Sequence, residues 1–263
     1  MKERRKVKII DLSVPLESEA VSEMPTLTPE IEYTPHETSV ERFESIFGVK
    51  KEDMVFSKGL GWAAETVHAS THAATHLDAP WHYGKTSEGK AAKTIDEVPL
   101  EWCYGDGVVL DMRHKKAGEL ITVEDLEKVL KKIDYTIKPG DIVLIMTGAD
   151  KHWGTREYLS NHPGMGREST LWLLEKGVKI IGIDSWGFDR PFFNMAADYA
   201  ETKDGKVVWP AHFAGITKEY CHIEKLANLD KVPKPYGFKV AVFPIKIKGA
   251  SAGWARPVAI IEE

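Results

Sequence analysis

Between His68 and His82 the chain reads HASTHAATHLDAPWH, a stretch that holds four of its ten histidines together with Asp78. Imidazole nitrogens and carboxylate oxygens are lone-pair donors suited to a divalent cation, and His72, His76 and Asp78 supply three of them within seven residues. Asp78 has two oxygens and could serve two ions at once. The i, i+4 spacing of His72 and His76 suits one face of a helix, yet Pro80 follows closely and Thr71 and Thr75 interrupt, so a loop or turn is equally able to gather them. Ala69, Ser70, Ala73 and Ala74 are small enough to let backbone approach a cation. The spacing is not that of the helical zinc proteases, which places Glu directly after the first histidine. Singly, each histidine reads as a hydrogen-bonded structural residue; their density reads as a metal site. A histidine-rich loop that only sequesters metal is the rival reading.

The elements that must position these groups alternate along the chain. Val7 to Leu12, Gly107 to Asp111, Asp141 to Thr147, Val178 to Ile183 and Phe238 to Ile247 are short apolar, β-branched runs that predict buried strands. Thr122 opens a helix carrying Leu126, Val129 and Leu130, and Glu168 to Lys176 predicts another that ends at Gly177. The alternation predicts an α/β fold. Ser18 to Trp62 lacks periodicity and predicts loops and short helices, a stretch long enough to cover a substrate or contact a second subunit. Residues 1–263 fit one domain, with this loop-rich region at about 18–62. A formal net charge of -5 leaves no basic footprint for nucleic acid or an anionic membrane, which favours a small diffusing substrate. The first sixteen residues resemble a strand rather than a signal peptide, and no apolar run is long enough to span a bilayer. Cys103 and Cys221 imply no disulfide framework and read as reduced thiols in a cytoplasmic protein.

Read as a whole, TH-x2-TH-x-D-x-P-x-H resembles the His-x-Gly-Thr-His-x-Asp-x-Pro-x-His run of the cyclase family of metal-dependent hydrolases, which includes bacterial kynurenine formamidases (arylformamidases) and isatin hydrolases. His72, Thr75, His76, Asp78, Pro80 and His82 match, and Ala74 stands where the family has glycine. Downstream, PAHFAGITKEYCHIEKLANLDKVP is similar to the family's second metal segment, with His212 and Glu224 in the ligand places; His222 has no assigned counterpart. NHPG at 161–164, EKGVKIIGIDSWGFD at 175–189 and GASAGWARPVAII at 249–261 extend the resemblance. The resemblance implies a swivelling β/β/α architecture and a homodimer or homotetramer. It also implies one or two divalent ions, zinc or manganese: His72, His76 and Asp78 would bind one, while Asp78, His212 and Glu224 would bind a second or complete a single site.

Such an ion lowers the pKa of a bound water from about 16 to about 7, giving a nucleophile for an amide or lactone carbonyl without a serine or cysteine. His82 is then the candidate for proton transfer to the leaving group, in agreement with the resemblance. Thr75 and Thr71 are candidate supports for the ligands. Trp62, Trp81 and Tyr83 crowd the motif and are candidates for stacking on a flat substrate, against the plainer reading that aromatics fill core. Lys85 and Arg256 are candidate carboxylate anchors. The implied activity is hydrolysis of a small amide, arylformamidase-like, taking N-formylkynurenine to kynurenine and formate as in tryptophan catabolism. The alternatives are a cyclic amide or lactone, as in isatin hydrolase, and a non-catalytic metal-binding protein.

Overall fold

The computed structural model describes residues 6–262. Eleven strands carry the argument: β1 (Val7–Asp11), β2 (Glu30–Thr34), β3 (Ala64–His68), β4 (His76–Asp78), β5 (Tyr104–Asp111), β6 (Ile142–Met146), β7 (Ile180–Ile183), β8 (Cys221–Glu224), β9 (Tyr236–Ala241), β10 (Ala252–Trp254) and β11 (Val258–Glu262). Nine of them form one sheet in the order β1-β11-β9-β5-β6-β7-β8-β4-β10. β5 through β8 run parallel, and the flanking strands pair antiparallel. The fold is mixed α/β, built on this large sheet.

Alternation along the parallel strands feeds two apolar cores, as the two-residue period of a strand requires. Val108 and Leu110 of β5, Val143 and Ile145 of β6, and Ile181 and Ile183 of β7 lie in one core, with Leu126, Val129 and Leu130 of helix α1 (Val123–Lys132) and Leu173 and Leu174 of helix α2 (Arg167–Glu175). Val109, Ile142, Leu144 and Ile180 lie in the other, with Leu77, Ile223 and Val240. α1 begins at a capping box between Thr122 and Asp125, and α2 is followed by Gly177 at φ 88°, a conformation that favours glycine.

Three expectations need correction. The first run forms β1, but Val7 and Ile9 are more than half exposed, because β1 is the sheet edge and only its Ile10 side meets the core. The run Phe238 to Ile247 is strand only as far as Ala241; Val242 hydrogen-bonds Cys103, and Pro244 and the segment after it leave the ladder. The stretch 18–62 contains a strand, β2, which forms an antiparallel ribbon with β3, besides short helices at Val40–Phe47 and Lys51–Asp53.

Candidate metal centre

Strand register brings the ligand candidates together. β4 pairs antiparallel with β8, so that His222 lies opposite Asp78 and Glu224 opposite His76. Residues two apart on a strand share a face, and directly opposed residues share the same face of the sheet. One face of this corner therefore carries His76, Asp78, His222 and Glu224, while Leu77, Cys221 and Ile223 turn to the core behind. His72 reaches the group from the turn before β4, and His82 from the short helix Pro80–Tyr83 just after it. His212 arrives from a turn preceding β8.

Each ring is oriented by its other nitrogen. His76 Nδ1 donates to Ala74 O at 2.9 Å, which turns Nε2 toward the carboxylates. Ala74 holds a left-handed φ of 51°, the conformation in which glycine costs least, and its own N–H donates to Glu23 Oε1 at 2.8 Å. His212 Nδ1 donates to Asp189 Oδ2 at 2.5 Å, and Asp189 also accepts the backbone N–H groups of Ala211 and His212. A carboxylate fixing a ligand histidine in this way is a recurrent support of metal sites.

The two acidic side chains divide their oxygens between two groups of histidines. Asp78 Oδ1 lies 2.8 Å from His72 Nδ1 and 3.3 Å from His76 Nε2, while Oδ2 lies 3.0 Å from His222 Nε2 and 3.9 Å from His212 Nε2. Glu224 Oε2 is 3.7 Å from His76 Nε2, while Oε1 is 3.6 Å from His212 Nε2 and 3.4 Å from His222 Nε2. Both oxygens of Asp78 and the Nε2 atoms of His76 and His222 are buried without an aligned hydrogen-bond partner. Four such atoms gathered about one carboxylate have the chemistry of a ligand set, because an unpartnered buried polar atom is costly on its own. Burial acts against charge on Asp78, yet His82, His72 and His76 outweigh it and hold the carboxyl well below its usual range. Glu224 is lowered against burial by the nearby His222 ring first, with His212 adding to it. His222 is itself pushed up to about 9: burial opposes, and the close approach of the Asp78 and Glu224 carboxylates wins. Two buried, ionised carboxylates therefore demand positive charge here, as imidazolium or as bound metal. The residues fit one or two divalent ions.

A cavity of about 300 Å³ opens onto this corner, with His72, His82, His212 and Glu224 at its polar end. Trp186, Phe188, Phe192 and Trp209 give it aromatic walls, and Met24 and Leu27 bring the N-terminal stretch over it. His82 is shifted down to about 4, by burial first; Asp78 opposes this, and positive charge on His72, His212 and His222 adds to the lowering. It is a neutral base at ordinary pH. His162 also lines the cavity; its Nδ1 donates to Pro163 O at 2.8 Å, and its buried Nε2 has no partner.

The Cyclase family model matches residues 10–190, more than half of the chain. The chain belongs to the cyclase family. The match includes His72, His76, Asp78 and His82 and ends before His212, His222 and Glu224. Among curated relatives, the kynurenine formamidase of Erythrobacter litoralis is 29% identical over 192 residues, 72% of this chain and 73% of that protein. That of Bacillus thuringiensis is 27% identical over 140 residues, and the chain spans only 59% of its length. The crystal structure of an isatin hydrolase bound to the product analogue thioisatinate superposes with a TM-score of 0.75 at 21% identity, covering 98% of this chain and 93% of that one. At that identity the likeness speaks for a shared fold.

Within this cyclase-family fold, His72, His76, Asp78, His82, His212 and Glu224 lie in one cluster, and the structure adds His222 and Asp189 to it. The remaining candidates fall elsewhere. Trp62 packs on Phe43 with ring centroids 4.6 Å apart, and Trp81 is 41% exposed; neither lines the cavity. Tyr83 is buried beneath the site, where it hydrogen-bonds His222 and stacks on its ring, so no face is left for substrate. Thr75 pins backbone: its hydroxyl donates to Lys225 O at 2.6 Å and accepts from the Val14 N–H. Thr71 makes no hydrogen bond to these ligands among the described residues. Lys85 is exposed and does not line the cavity, and Arg256 pairs with Asp11 on the surface. Cys103 and Cys221 are buried and unbridged.

The spacing G-x-S-x-G occurs once, at GASAG, residues 249–253. Ser251 Oγ lies 3.0 Å from His72 Nε2, whose Nδ1 faces Asp78, so the distances resemble a Ser-His-Asp relay. The context differs from a nucleophile elbow: Ser251 leads into β10 instead of a helix, and it does not line the cavity. Its hydroxyl orients His72. Ser251→Ala is expected to keep kcat within about tenfold of the parent, whereas a fall of about 10⁴-fold or more would transfer the chemistry to a serine nucleophile.

Proposed function

We propose that this chain is a metal-dependent hydrolase that opens a C–N bond in a small aromatic amide, arylformamidase-like, with N-formylkynurenine giving kynurenine and formate as the leading reaction. The observation that carries the reading is a set of unpartnered, buried Nε2 and carboxylate atoms, on His76, Asp78 and His222, lying just behind His72, His82, His212 and Glu224, which form the polar end of an aromatic-walled cavity. When bound, a divalent cation would supply Lewis acidity and an acidified water, with a pKa near about 7. His72, His76, Asp78, His212 and Glu224 would hold it, and their N/O donors suit zinc or manganese. His82 Nε2, 3.8 Å from Asp78 Oδ2, would take a proton during attack and return it to the departing nitrogen. Trp186, Phe188, Phe192 and Trp209 would enclose the ring and exclude water. His162 Nε2, unprotonated because Nδ1–H is committed to Pro163, is an acceptor for a substrate N–H.

That acceptor favours an amide over a lactone, and it serves a lactam equally well. A cyclic amide such as isatin is therefore the second reading, supported by a cavity on the small side for ligand sites and by the cover from Met24 and Leu27. Comparing kcat/KM for N-formylkynurenine and isatin chooses between them. His82→Ala is expected to keep its metal and lose about 10²- to 10⁴-fold in kcat. Unchanged turnover in that variant would remove His82 from the reaction.

Two further properties belong to this reading. Exposed Tyr33, Ile46, Phe47, Val55 and Phe56 along the N-terminal stretch support a homo-oligomer, dimer or tetramer, which sedimentation would contradict by returning a monomer mass. No helix among the described residues is long and apolar enough to cross a membrane, and two unbridged thiols suit the reducing cytoplasm.

A further inference from the structure

We infer that His222 is itself a metal ligand, closing a four-donor position with Asp78, His212 and Glu224; the inference rests on the metal-dependent reading above. Its ring is fixed in the tautomer a ligand needs. Tyr83 OH donates to Asp78 O and Tyr220 OH donates to Ala211 O, which commits both hydroxyl protons. Both hydroxyl oxygens then face His222 Nδ1, at 3.0 Å and 3.2 Å, as acceptors. Nδ1 therefore keeps its hydrogen, and a metal ion that displaces the Nε2 proton would meet that nitrogen's lone pair between the carboxylates.

The surroundings leave the ring no freedom to turn away. Phe188 stacks on one face at 4.3 Å and 10°, Tyr83 stacks at 5.1 Å and 22°, and His222 is fully buried. Two of the four donor separations match a tetrahedral ion, and the other two fall on either side of that range. A tetrahedral ion with bonds of about 2.0–2.2 Å sets its ligand atoms about 3.3–3.6 Å apart. His222 Nε2 lies 3.0 Å from Asp78 Oδ2 and 3.4 Å from Glu224 Oε1, and His212 Nε2 lies 3.9 Å and 3.6 Å from the same two oxygens.

Two nitrogens and two oxygens fill a tetrahedral set, and filled sets hold metal for structure while catalytic sites keep a position free. The position closed by His222 thus retains its ion tightly. Exchange with solvent and substrate is left to the side of His72 and His82; the cavity also reaches His212 and Glu224 of the closed set, but not His222, which holds its ion from the buried side. His222 is the donor that separates the two behaviours.

The test is titration of metal-free protein with zinc chloride, for the parent and for His222→Gln. Glutamine keeps an N–H that can hydrogen-bond Asp78, so it restores a merely structural role and not ligation. The parent is expected to bind a tight ion that resists dialysis, and His222→Gln to bind that ion more than about 100-fold more weakly, beyond the loss from removing a supporting group. Equal affinity in the two proteins would overturn the inference. Because the variant could misfold, a zinc-loaded crystal structure of the parent gives a second reading: a His222 Nε2–zinc distance of about 2.0–2.1 Å supports ligation, and zinc bound elsewhere in the cluster contradicts it. A parent that binds no zinc overturns the metal-dependent reading itself.

Discussion

Asp78→Ala is expected to purify without metal and to hydrolyse neither N-formylkynurenine nor isatin above background. The carboxylate stands at the centre of the cluster, with one oxygen toward His72 and His76 and the other toward His222 and His212. Its removal takes a donor from both groups and leaves Glu224 as the one carboxylate facing both, since Asp189 holds only His212. Loss of a supporting group alone weakens metal binding about 10- to 100-fold, so loss of this shared ligand exceeds that range. Elemental analysis and thermal unfolding of the variant separate the causes: the account expects a folded protein without metal. An Asp78→Ala protein with parental metal content and rate would contradict the placement of the site.

Lys225→Met is expected to produce the largest loss of stability. Lys225 and Glu23 are both buried; Nζ lies 2.8 Å and 2.9 Å from the two oxygens of Glu23 and donates to His72 O at 2.7 Å. Glu23 also accepts from the Ala74 N–H and from Trp186 Nε1, so one ion pair ties the N-terminal stretch to the ligand turn and to the cavity wall. Removing one partner of a buried pair costs about 3–5 kcal/mol, because the other charge stays buried and uncompensated. At about 2–4 °C per kcal/mol for a chain near this size, the midpoint should fall by roughly 6–20 °C, with weaker metal binding as His72 loses its anchor. Adding Glu23→Gln should recover part of the loss, since the amide carries no charge and its one oxygen still accepts from either the Ala74 or the Trp186 N–H, though its NH2 cannot accept from the other. A midpoint unchanged in Lys225→Met would show that the pair does not hold the turn.

Local signals were legible and long-range ones were not. The run from His72 to His82 announces its ligands because five chemistry-bearing residues lie on consecutive turns of chain. The strands of the parallel sheet are visible because both faces are buried, which makes them continuous apolar runs. His222 was not assigned, because its role comes from lying opposite Asp78 across a pairing of strands far apart in sequence. Spacing does place it on the strand face of Glu224, and that was the available signal. Asp189 was missed for the same reason: nothing local marks it as the partner of His212. The aromatic residues beside the motif were misleading, since nearness in sequence to Pro80 says nothing about which way Trp81 or Tyr83 turns. The cavity walls come instead from Trp186, Phe188, Phe192 and Trp209. The serine of GASAG shows the converse, a familiar spacing whose strand context gives it a supporting role.

The most direct test of the metal-dependent reading is hydrolysis of N-formylkynurenine and isatin by protein of known metal content, before chelation, after it, and after return of zinc or manganese. One or two ions per chain are expected, with turnover of one of these amides that disappears with the metal and recovers when the ion is restored. Undiminished turnover by protein shown to be free of metal would contradict it.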